Sequence, residues 1–378
     1  MQENKTMRIL TALGIILIVA GHLNMDLLGF GGIFTYYSFH VYIFLFVAGY
    51  FYKKEDENNI PAYILRKIKT LLVPYYILHF IFGLISTFLN LGGIHVGGKL
   101  SIWSLLVDPF LGGHLYMLDF PGWFVPALFV TEIINILIRK VLGHWVKKQL
   151  DISMFILSLL LGVATVWLSI GGHIWGYRST PARWLLMLFG VEFGCLFKNK
   201  IEPLLEKILE KYVNKKILLV ILYFLLIIVV QLPIWYISGG LAFSVVWSTS
   251  FANGPIIPFV TVITGILLWL GIAYILAQLS DNNIVLEGFI AVGRNSFGIM
   301  MGHIAILFFI NSLCGLLNRY GNLFKDFDFV KYAEDVNYQY LYAGWHATHL
   351  INLILCVAIP VMISIFCKKL TKKNMRSW

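Results

Sequence analysis

Three histidines, one carboxylate and a pair of cations occupy places where an otherwise apolar chain has little reason to carry them. His22 falls near the end of the run ILTALGIILIVAGHLNMD, and His40 near the start of the next run, SFHVYIFLFVAGYFY. His303 comes late in the chain, well inside another apolar run, and Glu192 lies within LFGVEFGCLF. Ionisable side chains are rare and costly in lipid. A neutral imidazole can take a proton from a hydroxyl and return it, which suits general-base chemistry on an alcohol. The same ring can also pack against a neighbouring helix or sit among headgroups, and position alone leaves both readings open for His22. His40 can pair with His22, touch substrate or cap its helix at the interface. Glu192 asks for a cation, a hydrogen-bond partner or a proton path. Arg66 and Lys69, in YILRKIKTLLVPYY, stand at i and i+3 and so share one helix face. Two cations there can clamp phosphates or act only as a topology signal. Pro74 is expected to bend the chain beside them.

These residues need elements to hold them, and composition says which. The chain has 378 residues, 59% hydrophobic and 13% charged, with a mean hydropathy of +0.81. A soluble domain is about a quarter charged, so a soluble fold is excluded and the lipid bilayer is the expected surroundings. Apolar runs long enough to cross it, about 20 residues each, are read at roughly 7–27, 33–52, 70–91, 121–142, 152–170, 181–198, 216–237, 258–279, 289–314 and 349–368. They lack the alternation of barrel strands, and lipid offers no partner to an unpaired backbone, so they are helices. With the N-terminus inside, 23 of the 29 lysines and arginines fall in the inner segments, the bias expected of cytoplasmic loops. The expected fold is therefore an all-α integral membrane protein. It is a bundle of about ten transmembrane helices with both termini cytoplasmic, forming one transmembrane domain over 1–378 with no separate soluble domain.

The net charge of +10 lies in inter-helix segments with few interleaved aromatics, so no nucleic-acid partner is expected. Cys195, Cys314, Cys356 and Cys367 have no metal-type spacing and read as small buried hydrophobes; no metal is expected. The N-terminal run has no small-residue cleavage site after it and reads as a retained helix. EKILEKYVNKK, 206–216, has a basic face suited to the membrane surface. Residues 92–120 and 315–348 are long loops. The second holds Asp326, Asp328, Glu334, Asp335, Tyr338, Tyr340 and Tyr342, which suit sugar hydroxyls and ring faces or simply a solvated loop with aromatic anchors. A transporter or exporter of a polysaccharide or small solute would use the same helices and buried charges. The paired, glycine-broken segments that mark many transporters are not seen.

Taken in order, the motifs resemble the membrane-bound acyltransferase-3 family. Its first span ends in a histidine after small and aliphatic residues, here LIVAGH ending at His22. Its second carries a run matched here at Phe39, His40, Phe44, Gly49 and Tyr50, with Ala48 where the family has serine. The basic R-x-x-R before a proline appears as Arg66-x-x-Lys69 and then Pro74-Tyr75, and a Trp-Phe pair opens the fourth span as Trp123-Phe124. The late G-x-x-S motif ending in histidine is present from Gly293 through Ser296 to His303. The family's arginine eleven residues before the first-span histidine is Thr11 here, with Arg8 one turn earlier. The resemblance implies O-acylation, usually acetylation, of a carbohydrate, with acetyl-CoA or another acyl-CoA as co-substrate and no permanently bound cofactor. The acceptor would be a cell-envelope or lipid-linked glycan, in the cytoplasmic membrane of a bacterium, crossed many times. His22 is then the expected catalytic base, and Arg66, Lys69 and Arg8 the donor-binding cations. His40, Tyr50, Trp123, Ser296, His303 and Glu192 are expected to contact substrate or support the site.

Overall fold

The protein is described by a computed structural model over residues 4–375, apart from 26, 114, 175–179, 240–241, 252, 281 and 342–347, with the side chains of 27 and 368–375 also set aside. Tyr342, Arg178 and Arg376 lie outside the described residues, as do the side chains of the C-terminal lysines. The fold is all-α, 81% helical, with no strand among the described residues. Eight helical stretches are long and apolar enough to cross a membrane, so this is a multi-pass membrane protein. One of the eight, Met117–Ile170, holds two helices in succession.

The helices used below are α1 (Lys5–His22), α2 (His40–Tyr50), α3 (Ile60–Lys67), α4 (Val73–Leu91), α5 (Phe124–Val146) and α6 (Leu150–Ile170). They continue with α7 (Thr180–Leu196), α8 (Glu202–Lys211), α9 (Lys216–Ser238), α10 (Ile257–Leu276), α11 (Ile284–Arg294), α12 (Ser296–Gly321) and α13 (His349–Met375). α1 is capped by Asn4, whose side chain accepts from Met7 N at 3.0 Å, a standard N-terminal device. α1 and the α7–α8 stretch bury 72% and 78% of their apolar windows, against 11% for α9 and for α13. A helix apolar all round belongs either inside the bundle or against lipid. The first two therefore form its centre and the last two its lipid-facing wall, with Leu226, Ile237, Ile351 and Phe366 turned outward.

Two apolar runs fold differently from expectation. The run 33–52 yields only the 11 residues of α2 as α-helix, too short to span hydrocarbon unaided. It is enclosed by protein instead, because Gly49 and Gly194 let it meet α7 backbone to backbone: a Cβ on Gly49 would lie 1.8 Å from Val191 O, and one on Gly194 2.0 Å from Phe46 O. The run 289–314 is divided. α11 ends at Arg294, Asn295 breaks the helix at φ −111°, ψ 14°, and α12 starts at Ser296 and continues to Gly321. The count of ten crossings thus rests on the charge pattern alone. Of the stretch 206–216 expected as one surface helix, only 206–211 is helical with what precedes it, in α8, which has Pro203 in its first turn and ends at Lys211; a short 3-10 turn follows at Val213–Lys215. Of the cysteines, Cys195 and Cys356 are buried as expected and Cys314 half-buried, but Cys367 is exposed on the largely uncovered α13.

Two polar knots tie the helices together, one buried and one at the start of α1. Arg139 on α5 donates from Nε and Nη2 to the two oxygens of Glu192 on α7, at 2.8 and 2.6 Å, and from Nη1 to Asp151 on α6 at 2.9 Å. This is the cation that Glu192 requires. The pair is almost fully buried, and the Tyr52 ring covers the guanidinium at 5.0 Å. In the second knot, the Tyr50 hydroxyl accepts from Asn4 (2.9 Å) and Lys198 (3.0 Å) and donates to Glu202 (2.8 Å). Glu192 is fully buried on this guanidinium, whereas Asp151 is partly exposed and also accepts from Asn199 at 3.1 Å, so removing one member of the Arg139–Glu192 pair disrupts a buried ion pair. Glu192→Ala should lower stability by about 3–5 kcal/mol in detergent unfolding, and Arg139→Met with Glu192→Leu should recover most of it. An unaltered unfolding midpoint for the single variant would take the pair out of the core's energetics.

Candidate active site

α1 carries His22 at its last residue, where it lines a cavity of about 390 Å³. The His22 ring lies 5.2 Å from the His303 ring of α12, and its edge contacts are Phe120 at 5.6 Å and Tyr340 at 6.4 Å. His303 is fully buried, and its Nδ1 lies 2.8 Å from Ile299 O one turn back. That bond makes Nδ1 the donor and leaves Nε2 as a lone-pair acceptor, buried with no hydrogen-bond partner. His40, the first residue of α2, stands edge-on to Tyr37 at 5.1 Å, and both line the same cavity with Trp123, Trp247 and Tyr340. Burial pushes the Tyr340 hydroxyl up to about 12, so it stays protonated and able to donate.

The roof of this histidine cavity is the segment 242–250. It is a tight reversal in which Ser244 and Thr249 exchange backbone hydrogen bonds at 3.0 and 3.2 Å. Arg183 of α7, only 1% exposed, holds that roof from behind. It donates to Gly112 O at 2.9 Å, Phe110 O at 3.3 Å and Val246 O at 3.4 Å, and covers the Trp123 ring at 5.5 Å. Ser169 fixes the reversal from α6 through Ser248 O at 2.6 Å.

A second cavity, about 480 Å³, is lined by Arg66, Lys67, Tyr63, Glu132, Asn135 and Ser296 among others. Lys67 donates to Glu132 Oε1 at 2.5 Å, and Arg66 to Asp56 Oδ2 at 2.5 Å, with both cations near the Tyr63 ring at 5.2 and 5.4 Å. Arg66 sits at the rim, its side chain 51% exposed, whereas Glu132 is 4% exposed. The basic cavity and the histidine cavity share the side chains of Phe44, Phe124 and Met300. α2 is the common wall, giving His40 and Val41 to one side and Val47 and Ala48 to the other.

The sequence-derived candidates therefore separate. His22, His40 and Trp123 meet in the histidine cavity with His303 alongside, and Arg66 and Ser296 line the basic one. Lys69 is exposed and outside that lining, where Lys67 stands in its stead. Pro74 cannot donate to the Thr70 carbonyl and presses against it, and the turn before it widens to a π-helix over Ile68–Leu72. The extra residue in that turn breaks the i, i+3 phase on which the Arg66–Lys69 pairing depends. Arg8 lies outside both cavities and donates to Gly293 O at 3.3 Å. Tyr50 and Glu192 belong to the two knots. Glu132 and Asn135 escaped the sequence reading, although a carboxylate within an apolar run is the signal that singled out Glu192. His79 and Asp119 escaped it too. They pair in the interior, with His79 Nε2 3.2 Å from Ser104 O and the ring between Tyr75 and Tyr116, in neither cavity. Among the described residues no three His, Cys, Asp or Glu side chains gather as metal ligands do.

A family model described as an acyltransferase domain matches residues 5–370, nearly the whole chain. The chain belongs to the acyltransferase-3 family. No curated protein and no solved structure matches it. As a family member it is a membrane acyltransferase, and the residues at its two joined cavities are those to test for acyl transfer. His303 is outside the histidine cavity's lining and meets it through its ring contact with His22. His303→Leu should lower kcat about 10- to 100-fold while leaving the donor KM within about twofold and the unfolding midpoint nearly unchanged. A fall in thermal stability matching the loss of activity would reduce His303 to packing.

Proposed function

We propose that this acyltransferase carries an acyl group, acetyl first among them, from cytoplasmic acyl-CoA to a hydroxyl of a cell-envelope or lipid-linked carbohydrate. Its setting in this reading is a bacterial cytoplasmic membrane, crossed ten times with both termini inside. The observation that carries the proposal is the meeting of two unlike cavities. One has cations at its rim and the other has histidines among aromatic rings, and Phe44, Phe124 and Met300 are common to both. Arg66 and Lys67 suit the donor's phosphates. The rim is open to solvent there, and Lys67 keeps Glu132 neutralised. Tyr37, Trp123, Trp247 and Tyr340 suit the apolar faces of a sugar ring and bring hydroxyl and indole donors to its edges.

The reaction then needs one shared point. The thioester reaches past Phe44 and Phe124, and the acceptor hydroxyl comes to His22 from the other side. The hydroxyl oxygen attacks the thioester carbonyl carbon while His22 takes its proton. The C–S bond breaks, the new ester bond forms, and the thiolate leaves to be protonated by the imidazolium. Holding both reactants at one histidine turns a bimolecular encounter into a step between positioned groups. Arg8 and Lys69, outside the basic cavity, have no part in this scheme.

His22→Ala should reduce acyl transfer by about 100-fold or more in purified, folded protein, with acyl-CoA binding retained. Activity within tenfold of the parent would remove His22 as the base. Arg66→Ala should raise the acyl-CoA KM several-fold and leave the acceptor KM alone; equal shifts in both would detach the basic cavity from the donor.

A further inference from the structure

Two residues that line the basic cavity carry acceptors that nothing in the protein occupies. Glu132 is 4% exposed and Asn135 1% exposed. Both line the cavity, and both leave an oxygen buried without a hydrogen-bond partner, Oε2 of Glu132 and Oδ1 of Asn135. Lys67 already occupies the other Glu132 oxygen. Buried acceptors are nearly always paired in folded proteins, so two unpaired ones on residues that line one cavity point to a ligand that donates. The two residues stand at i and i+3 on α5, so their Cβ atoms are neighbours on one helix face, about 5–6 Å apart.

We propose that Glu132 and Asn135 form a subsite for the two amide N–H groups of the pantetheine arm of the acyl donor. The inference rests on the reading of acyl-CoA as donor and adds where its arm is recognised. The two amide nitrogens of that arm are separated by a β-alanine unit, about 5 Å along an extended chain of ordinary bond lengths, the same order as the separation of two side chains that leave one helix face at i and i+3. Charge agrees with this order. A phosphate at this depth would face the Glu132 carboxylate, whereas the rim presents Arg66. The phosphates therefore remain at the rim, and the uncharged arm passes the α5 acceptors on its way to Phe44 and Phe124. Donors without those amides, such as simple alkyl thioesters, would leave both acceptors unpaired and be discriminated against.

The test compares CoA with adenosine bisphosphate, the nucleotide half of CoA without its arm, by calorimetric titration of the purified protein in detergent. Asn135→Leu should weaken CoA about tenfold and leave adenosine bisphosphate unchanged. Asn135→Ala carries the same readout if the larger side chain prevents folding. Unaltered CoA affinity in a variant whose parent binds CoA overturns the subsite alone, as does an equal loss for both ligands. A parent protein that binds no CoA overturns the donor reading and the subsite with it.

Discussion

Everything at the candidate site depends on how closely α2 approaches α7. A methyl group at Gly49 would reach within 1.8 Å of Val191 O, and one at Gly194 within 2.0 Å of Phe46 O, so only hydrogen at these positions allows the two backbones to touch. Small residues serve this purpose between membrane helices, where close van der Waals contact replaces the hydrophobic drive available in water. The contact frees α2 from the length a lipid-crossing helix needs. An eleven-residue helix can then stand inside the bundle as a partition, with a histidine at its first residue and a tyrosine at its last. Both cavities take part of their lining from it.

A buried partition needs its neighbours fixed, and the polar groups of the interior do this. Arg139 gathers Glu192 and Asp151, Tyr50 gathers Asn4, Lys198 and Glu202, and Arg183 gathers the carbonyls of two loops. Each cation or hydroxyl binds groups from separate segments of the chain, which ties the positions of those segments to one another. Some buried polar atoms are unpaired, Arg183 Nε and Ser86 Oγ among them, and so are atoms of His40, His303, Glu132 and Asn135. The last four residues lie on or beside the two cavities, where an incoming molecule can supply what the protein does not.

The helical membrane fold was legible because it follows from composition and backbone chemistry; His22 and His40 stood out because ionisable side chains are unusual in apolar runs, and Trp123 only through the family resemblance. The register of the basic pair was not. Arg66 and Lys69 share a face only on a regular α-helix, and the π turn that Pro74 induces substitutes Lys67 in the cavity lining. Sequence registers a proline but not how its clash is relieved, by a kink or by a wider turn. The division at Asn295 escaped for a similar reason, since a single residue with non-helical φ/ψ leaves the apolar composition untouched. The roof over the histidines escaped because segment 242–250 has neither helical nor strand period. It is held by Arg183 from far along the chain, and such a contact has no local signature.

The Tyr50 knot has a mechanical consequence for His22. α1 is an unbroken helix of 18 residues, about 27 Å long at 1.5 Å per residue, with His22 as its tip. Its foot is Asn4, which caps the first turn and donates to Tyr50 in the same side chain. A stiff rod anchored at one end transmits displacement along its axis, so the reach of the imidazole is registered against Lys198 and Glu202 at the opposite end of the bundle. The histidine's depth is thus gauged from the far side of the protein.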